Sequence, residues 1–294
     1  MLTLRAGDNA IVVAPETGGG VVGWMAGGTP ILRRAVPGAV VAGNPHVLGW
    51  FPLLPYANRI AGGTFAWHGV EHRLTPNFGD SPHTIHGIGW QRAWTVEAVS
   101  ESAARLSLNH LGDAAWPFAF RATLDYTVTP DSVTVGIALT NSASEPAPAG
   151  FGLHPYFPKA HDPTLHFRAG GVWRNGADVL PVSHEPIPAA WAFDRPRAVT
   201  PMRLDNCFTG WDGHATIDAG PASLRIEASP VFANLQVFTP DWGDFFCAEP
   251  VSHVPDARNR PDLPQGQGMT CLAPSETLAG TIAMILTTVP TARS

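Results

Sequence analysis

Apolar and polar residues alternate most clearly in the middle of the chain. From Phe118 to Val128 every second position is apolar, and after a turn at residues 129–131 a second alternating run covers 133–140. Successive side chains of a strand point to opposite faces of a sheet, so this period of two predicts half-buried strands. With two shorter apolar segments upstream, the region 93–140 is predicted to be an antiparallel meander.

Short apolar segments predict further strands on both sides of this meander. They are Ala10–Val13, Gly20–Trp24, 164–167, 171–174, 203–208, 222–228, 231–238 and Thr277–Val289. The 30 glycines and 29 prolines, spread along the whole chain, leave little room for long helices. We find no internal repeat, linker or break in composition. The sequence therefore predicts a single all-β domain over residues 1–294, a large antiparallel β-sandwich with few short helices and a cleft in one face or end.

Composition narrows the choice of partner. Only 14% of the residues are charged, 45% are hydrophobic and the net charge is -6 without any basic run. This balance disfavours a nucleic-acid or anionic membrane surface and favours a neutral or weakly charged small molecule. Residues Met1 to Val13 show no apolar segment typical of a signal sequence, and no apolar run approaches the ~18 residues of a membrane span, so we expect a cytoplasmic protein. A monomer or homodimer is a separate expectation.

Cysteine and lysine usage restricts the chemistry. The three cysteines are an odd number without CxxC spacing, which argues against a disulfide framework or a cysteine-based zinc site. Lys159 is the only lysine among 18 basic residues. Because Schiff-base and pyridoxal mechanisms need a lysine amine, they would all depend on that one position, and we regard them as disfavoured.

Two stretches place an ionisable side chain at the end of an apolar run. In Gly152–Phe157, Pro155 directly follows His154 and is expected to end a strand, so the histidine would face a cleft from the strand end. In the second stretch four uncharged residues precede Glu249, and we expect a strand end to carry this carboxylate into apolar surroundings that raise its pKa. The structural alternatives are a satisfied core histidine and a buried glutamate paired with an arginine such as Arg59.

Three further stretches carry polar candidates for binding. Asn58 and Arg59 lie between apolar residues, and a guanidinium fork suits two neighbouring hydroxyls or a carboxylate. Asp205 lies between apolar neighbours, where a turn or cap role is the alternative. In the stretch 83–90, Gly87 is expected to let a ligand approach the backbone beside His86, and Trp90 to offer a ring face. Loop residues are the alternative for His83 and His86, and His68 and His72 are placed in a turn rather than in a zinc site.

Together these stretches resemble the aldose 1-epimerase, or galactose mutarotase, family in order and spacing, over roughly residues 20–287. The matching segments are Asn58–Ile60, His86–Gly87, His154–Phe157, Asp205, Glu249–Pro250, Pro255–Ala257 and Leu272–Thr277. The resemblance implies a mutarotase-like β-sandwich that interconverts the α and β anomers of a free aldose without cofactor or metal.

By position, the resemblance implies that Glu249 is the general base and His154 the general acid, with Arg59, His86 and Asp205 binding the sugar and Asn58 beside them. The two oxygens that these groups serve are bonded to one carbon of the sugar. Each catalytic group must come within hydrogen-bond reach of its oxygen, so the Glu249 carboxylate and a His154 ring nitrogen should lie no more than roughly 8 Å apart.

The sequence also departs from the galactose-type members of the family. Many of those carry a glutamine two residues after the glutamate, where this chain has Val251. The pattern is closer to a broader bacterial epimerase-related group and leaves the sugar open. Two alternatives remain: a non-catalytic sugar-binding or sugar-sensing module, and a hexose 6-phosphate mutarotase using cations such as Arg73 or Arg174. A metal-dependent cupin lacks support because no H-x-H motif is present.

Overall fold

Strands form most of the regular structure in the computed structural model, which describes residues 1–35, 45–200, 202–260 and 263–288. Among these residues the strands are β1 Leu2–Ala6, β2 Asn9–Ala14, β3 Gly20–Ala26, β4 Thr29–Pro30, β5 Trp50–Leu53, β6 Arg59–Ile60, β7 Thr64–Trp67, β8 Val70–Arg73, β9 Thr84–Ile85, β10 Thr95–Val99, β11 Ala103–His110, β12 Phe120–Val128, β13 Ser132–Asn141, β14 Ala147–Ala149, β15 Gly152–Pro158, β16 Thr164–Phe167, β17 Gly171–Asn175, β18 Pro181–Glu185, β19 Arg197–Ala198, β20 Asp205–Thr209, β21 His214–Asp218, β22 Ser223–Ala228, β23 Asn234–Phe238, β24 Phe245–Val251, β25 Thr270–Leu272 and β26 Thr277–Thr288. Short 3-10 helices cover Pro45–Val47, Ala61–Gly63, Gly89–Gln91, Ala189–Trp191 and Ala257–Asn259. In the described ranges no helix has the length and apolar character needed to cross a membrane.

Most strands belong to two large antiparallel sheets. The first sheet has the order β1-β2-β3-β5-β15-β24-β23-β20-β17-β18, with β4 added beside β3. The second has the order β10-β11-β12-β13-β26-β22-β21-β16-β19. Three two-stranded ribbons, β6-β9, β7-β8 and β14-β25, complete the described strands. The predicted fold class, a large antiparallel β-sandwich with few short helices, is confirmed.

The core between the two sheets is rich in aromatic rings. Trp50 of β5 stacks on Tyr126 of β12 with ring centroids 6.5 Å apart, and Trp24 of β3 packs edge-on against Trp50 at 6.3 Å. The Tyr126 hydroxyl donates a hydrogen bond of 2.7 Å to the backbone carbonyl of Gly19. A single buried side chain of the second sheet thus joins the first sheet through both its ring and its polar end.

Strands β15 and β24 lie in the middle of the first sheet and are buried on both faces. The sequence of such a strand is a continuous apolar run rather than an alternating pattern, so it does not show where the strand ends. The predicted ends of both strands are wrong for this reason. Pro155 does not end β15, which continues to Pro158, and Glu249 is not at the end of β24, which continues to Val251. His154 and Glu249 therefore lie inside strands, where the backbone on both sides fixes their position.

The alternating patterns gave better predictions. The meander over 93–140 is confirmed as β10 to β13. Between β12 and β13 the pairing is continuous, from Phe120 opposite Asn141 to Val128 opposite Val133. Strands are present at each of the other predicted segments, with shifts of a few residues at their ends, the largest being β23, which begins at Asn234 rather than at residue 231. Val289, the predicted end of the last strand, lies outside the described residues.

The contact of Tyr126 with Gly19 gives a test of the sandwich core. We expect Tyr126→Phe to lower the free energy of unfolding by about 1–3 kcal/mol, because the buried Gly19 carbonyl loses its hydrogen bond while the ring stays in place. Urea denaturation measures this change. Thr127→Ala, on the exposed face of the same strand, is the control and should stay near the wild-type value. Equal stability of Tyr126→Phe and wild type would show that this hydrogen bond does not hold the sheets together.

Candidate active site

A gap in the backbone pairing between β15 and β24 organises the candidate site. Gly152 of β15 pairs with Val251 of β24, and pairing resumes only where Tyr156 meets Cys247. Counting from either side, His154 lies opposite Glu249 and Pro155 opposite Ala248, while Leu153 lies opposite Pro250. Both prolines lack the backbone N–H that a ladder bond uses, which accounts for an interruption here. The register of β15 against β24 places the two ionisable side chains across from each other on one face of the sheet, and the interruption lies at this point.

The two side chains are in direct contact. His154 Nε2 lies 3.4 Å from Glu249 Oε1, within the predicted limit of roughly 8 Å. Their side chains are only 9% and 3% exposed, yet both line an open cleft. Arg59, the alternative partner of Glu249, instead forms its ion pair with Asp205. The arrangement is a neighbouring base and acid that reach the same small volume.

Burial shifts the pKa values of Glu249 and His154 in opposite directions. Desolvation raises the pKa of Glu249 well above its ordinary value, and nearby Asp205 adds to the rise while Arg59 opposes it. Desolvation lowers the pKa of His154 well below its ordinary value, and electrostatic repulsion from the His46 and Arg33 side chains lowers it further. The ordinary pKa of glutamate lies below that of histidine, and the low-dielectric site brings the two pKa values towards each other. The pair is best regarded as one unit that holds an exchangeable proton.

Arg59 and Asp205 form the second polar element of the cleft. Arg59 Nη1 lies 3.5 Å from Asp205 Oδ2 and 3.3 Å from the Asn58 side-chain oxygen. Asp205 Oδ1 accepts a hydrogen bond of 2.6 Å from the amide of Gln236, a residue that lies opposite Glu249 in the ladder between β23 and β24. Burial raises the pKa of Asp205, and Arg59 and Gln236 counteract the rise. Sequence analysis missed Gln236, because a glutamine inside an apolar strand carries no distinguishing pattern.

His86 contributes a neutral donor to the same cleft. The His86 Nδ1 accepts a hydrogen bond of 3.1 Å from the Asn58 backbone N–H, and the His86 backbone N–H donates to the Asn58 carbonyl at 2.9 Å. Burial, together with positive charge on His154 and Arg59, keeps the pKa of His86 well below its ordinary value. A neutral ring that accepts at Nδ1 carries its proton at Nε2, so His86 offers an N–H to a ligand.

Residues 253–256 support the loop that carries Asn58 and Arg59. His253 Nε2 accepts a hydrogen bond of 3.0 Å from the Ala57 N–H, and Asp256 Oδ1 accepts one of 2.9 Å from the Ala61 N–H. Asn58 has a φ of 57° and Asp256 a φ of 54°, both in the left-handed region that non-glycine residues adopt at some cost. The neighbouring segment after β24 thus fixes the position of the guanidinium.

All six residues predicted for the site line one cleft of about 270 Å³. Its polar lining also includes two residues that sequence analysis did not select, Arg33 and His46. The other lining residues are aromatic or aliphatic: Phe78, Ile85, Tyr156, Phe238, Trp242 and Phe245. Polar and apolar side chains are interleaved, since His154 stacks on Tyr156 with ring centroids 4.5 Å apart. The cleft thus offers both kinds of surface that a sugar ring needs.

Several of the expected roles in this region are wrong. Gly87 is needed because the Leu54 backbone, not a ligand, approaches it: a Cβ atom there would lie 2.1 Å from the Leu54 carbonyl oxygen. Trp90 is 2% exposed and stacks on Phe51 in the core, so it offers no free ring face. Arg73 and Arg174, proposed as phosphate-binding cations, are not among the residues of the cleft wall.

The predicted loop or turn positions are confirmed for His83 and His68 and are wrong for His72. His83 lies in a loop and accepts a hydrogen bond of 3.0 Å from the Gly62 N–H. His68 lies in the turn between β7 and β8, at a φ of 48°, whereas His72 is within β8 rather than in the turn.

Among the described residues, three side chains at the catalytic pair have the spacing of metal ligands. The donor atoms of His154, Cys247 and Glu249 lie within 4.8 Å of one another. Burial and the neighbouring Glu249 raise the pKa of the Cys247 thiol well above its ordinary value, so this thiol is neutral unless an ion coordinates it. The absence of a cofactor or metal from the reaction stays a prediction.

The two-sheet architecture and the cleft define a galactose mutarotase-like β-sandwich. The family model described as aldose 1-epimerase matches residues 1–284, and the chain belongs to this family. Uncharacterized protein YphB of Escherichia coli K12 is 30% identical over 292 residues, covering 96% of this chain and 97% of that protein.

Solved structures agree with this membership. A candidate aldose 1-epimerase from Escherichia coli K12 superimposes with a TM-score of 0.88 at 30% identity, covering 98% of both chains. A galactose mutarotase-like protein from Clostridium acetobutylicum gives a TM-score of 0.85 over 98% of this chain and 95% of its own, and at 19% identity it supports the fold alone. Human galactose mutarotase is 27% identical over 167 residues, 53% of this chain and 48% of its own.

The buried histidine that supports the Arg59 loop predicts a pH-dependent stability. Burial lowers the pKa of His253 from 6.5 to about 4. Between these values the unfolded chain binds a proton that the folded protein does not, so this residue's contribution is present above pH 6.5 and is lost as the pH falls towards 4. We expect a loss of about 3 kcal/mol over this range from His253 alone.

Urea denaturation at pH 7 and at pH 4.5 measures this loss. His253→Gln should show a weaker dependence of the unfolding free energy on pH than wild type. His214→Gln, which changes an exposed histidine, should keep the wild-type dependence. An unchanged dependence in His253→Gln would contradict the assignment of a neutral, buried His253.

Proposed function

We propose that the protein is an aldose 1-epimerase that interconverts the α and β anomers of a free aldose. The observation that carries the proposal is the contact of 3.4 Å between His154 Nε2 and Glu249 Oε1 in an open cleft. An acid and a base this close can serve the hydroxyl on C1 and the ring oxygen at once, because both oxygens are bonded to the same carbon. Family membership supports the same assignment.

The reaction needs only proton transfers. In the reactive form of the pair the exchangeable proton is on His154. The Glu249 carboxylate takes the proton of the C1 hydroxyl, the bond between C1 and the ring oxygen breaks, and His154 gives its proton to that oxygen. The product is the open-chain aldehyde. After rotation about the bond between C1 and C2, neutral His154 removes the proton from the chain hydroxyl as its oxygen attacks C1. Glu249 then returns its proton to the former aldehyde oxygen, and both groups are restored.

The remaining polar residues bind the other hydroxyls in this proposal. Arg59 presents donors and Asp205 acceptors, and each is oriented by a neighbour, Asn58 and Gln236 respectively. His86 adds a neutral N–H donor. Because these groups are already positioned by other protein contacts, the sugar need not order them on binding.

Optical rotation tests the proposed function. Pure α-anomers of glucose, galactose, xylose and arabinose are dissolved with and without the protein, and we expect faster equilibration of at least one. Glu249→Gln and His154→Asn should each lower kcat/KM for that sugar by about 10²- to 10⁴-fold, the usual contribution of a general acid or base. Each variant removes the ionisable group and keeps a similar shape.

Glu101→Gln serves as the matched control, since Glu101 is an exposed carboxylate outside the cleft. It should equilibrate the sugars as fast as wild type. If Glu249→Gln were also as fast as wild type, the acid and base mechanism would be wrong. A protein that binds these sugars without changing their rate of equilibration would instead be a sugar-binding module.

A further inference from the structure

The two central strands of the first sheet bring three potential metal ligands to the same face. Cys247 and Glu249 are two residues apart on β24, so their side chains point to the same side of the strand. Cys247 pairs with Tyr156 of β15, and the same register places Glu249 opposite His154. The Cys247 thiol, the Glu249 carboxylate and the His154 imidazole therefore share one face of the sheet.

The separations of the donor atoms fit a single metal ion. His154 Nε2 lies 3.4 Å from Glu249 Oε1, and one donor atom from each of the three side chains lies within 4.8 Å of the other two. Ligand bonds of about 2.0–2.3 Å place two ligands of a tetrahedral ion roughly 3.3–3.6 Å apart. The histidine and the glutamate are already at this distance, and the thiol needs to move by about 1 Å. In the described part of the chain, no other set of three histidine, cysteine or acidic side chains meets this spacing.

The donor set selects a borderline-soft divalent cation. Imidazole, thiolate and carboxylate together suit Zn²⁺ and its softer analogue Cd²⁺, whereas Mg²⁺ and Ca²⁺ prefer oxygen ligands alone. A thiolate and a carboxylate also balance the double positive charge, so the buried site as a whole stays neutral. On coordination the thiol gives its proton to the solvent, since the thiolate is the ligand.

The ion can reach these ligands from the cleft. His154 and Glu249 both line the cleft, whereas Cys247 is fully buried and is not among the lining residues. An ion that enters therefore meets the imidazole and the carboxylate first, and its fourth position faces the cleft, where water can occupy it.

The second nitrogen of His154 indicates that the ion exchanges with solution. His154 Nδ1 is buried and has no hydrogen-bond partner among the described residues. Histidines in permanent metal sites usually donate from this second nitrogen to an acceptor, which strengthens binding. We therefore expect reversible binding, weaker than that of a structural zinc site.

We propose that His154, Cys247 and Glu249 form an inhibitory site for Zn²⁺ and chemically similar cations. The ion takes the lone pair of His154 Nε2 and an oxygen of Glu249, so neither group can exchange a proton with the sugar. The metal and the sugar then compete for the same pair. The inference rests on the proposed function for its effect on activity, whereas metal binding itself does not depend on that function.

Ultraviolet absorption on titration with CdCl₂ measures binding at the thiol without turnover, because a bond between Cd²⁺ and a thiolate gives a charge-transfer band. All proteins carry Cys271→Ser, since the exposed Cys271 could bind the ion by itself. We expect one equivalent of Cd²⁺ to produce the band in this background. Cys247→Ser should lose the band and weaken binding by at least about tenfold, because losing even an outer-shell partner costs this much. Cys207→Ser, at a buried cysteine outside the set, is the matched control and should keep the band.

Optical rotation in the presence of ZnCl₂ measures the effect on the reaction. The rate of each protein with Zn²⁺ is divided by its own rate with EDTA, for the sugar that is equilibrated fastest. Zn²⁺ should inhibit the Cys271→Ser background and Cys207→Ser at the same concentration, while Cys247→Ser and Cys247→Ala should need at least about tenfold more. A higher sugar concentration should raise the Zn²⁺ concentration needed, and Mg²⁺ at the same concentration should not inhibit.

Two results would overturn the inhibitory site. One is a Cd²⁺ band that persists in Cys247→Ser, and the other is inhibition of both Cys247 variants at the Zn²⁺ concentration that inhibits the background. Faster equilibration with Zn²⁺ than with EDTA would also contradict it, because the ion would then assist the reaction. If the protein equilibrated no sugar faster while the band that depends on Cys247 formed, the proposed function would fail and the metal site would stand.

Discussion

The interrupted pairing between β15 and β24 is the feature on which the rest of the site depends. Two strands in the centre of a sheet normally bond along their whole length, and side chains on the covered face are apolar. Here Pro155 and Pro250 remove backbone donors at the one place where His154 and Glu249 face each other. The cost of burying two ionisable groups is reduced by their mutual contact of 3.4 Å. A rigid sheet centre thereby holds an acid and a base in fixed relative positions.

The surrounding layers keep this pair in a site that a small polar molecule can enter. The segment that follows β24 returns to support the loop of Asn58 and Arg59 through His253 and Asp256. Aromatic residues of β15 and β24, among them Tyr156 and Phe245, form an apolar part of the cleft wall next to the pair. The low-dielectric surroundings that shift the pKa values of Glu249 and His154 come from the same packing that forms the wall.

Sequence analysis predicted best those strands in which apolar and polar residues alternate. Strands β12 and β13 alternate because one face meets the core and the other meets solvent. The central strands have no such pattern. Their site residues were selected as ionisable groups that follow apolar runs, and the roles of these residues came from the family resemblance. Gln236 was missed because its role depends on Asp205, which belongs to another strand. Gly87 was selected for the wrong reason, since no sequence pattern shows that the Leu54 backbone lies against it.

The central claim is that Glu249 and His154 act as one unit, and a double-mutant cycle tests it most directly. Equilibration rates are measured by optical rotation for wild type, Glu249→Gln, His154→Asn and the double variant, with the sugar that wild type accelerates most. If the two groups share one proton-transfer step, the double variant should be about as slow as either single variant. Independent losses that add in free energy would contradict the account, because each residue would then contribute without the other.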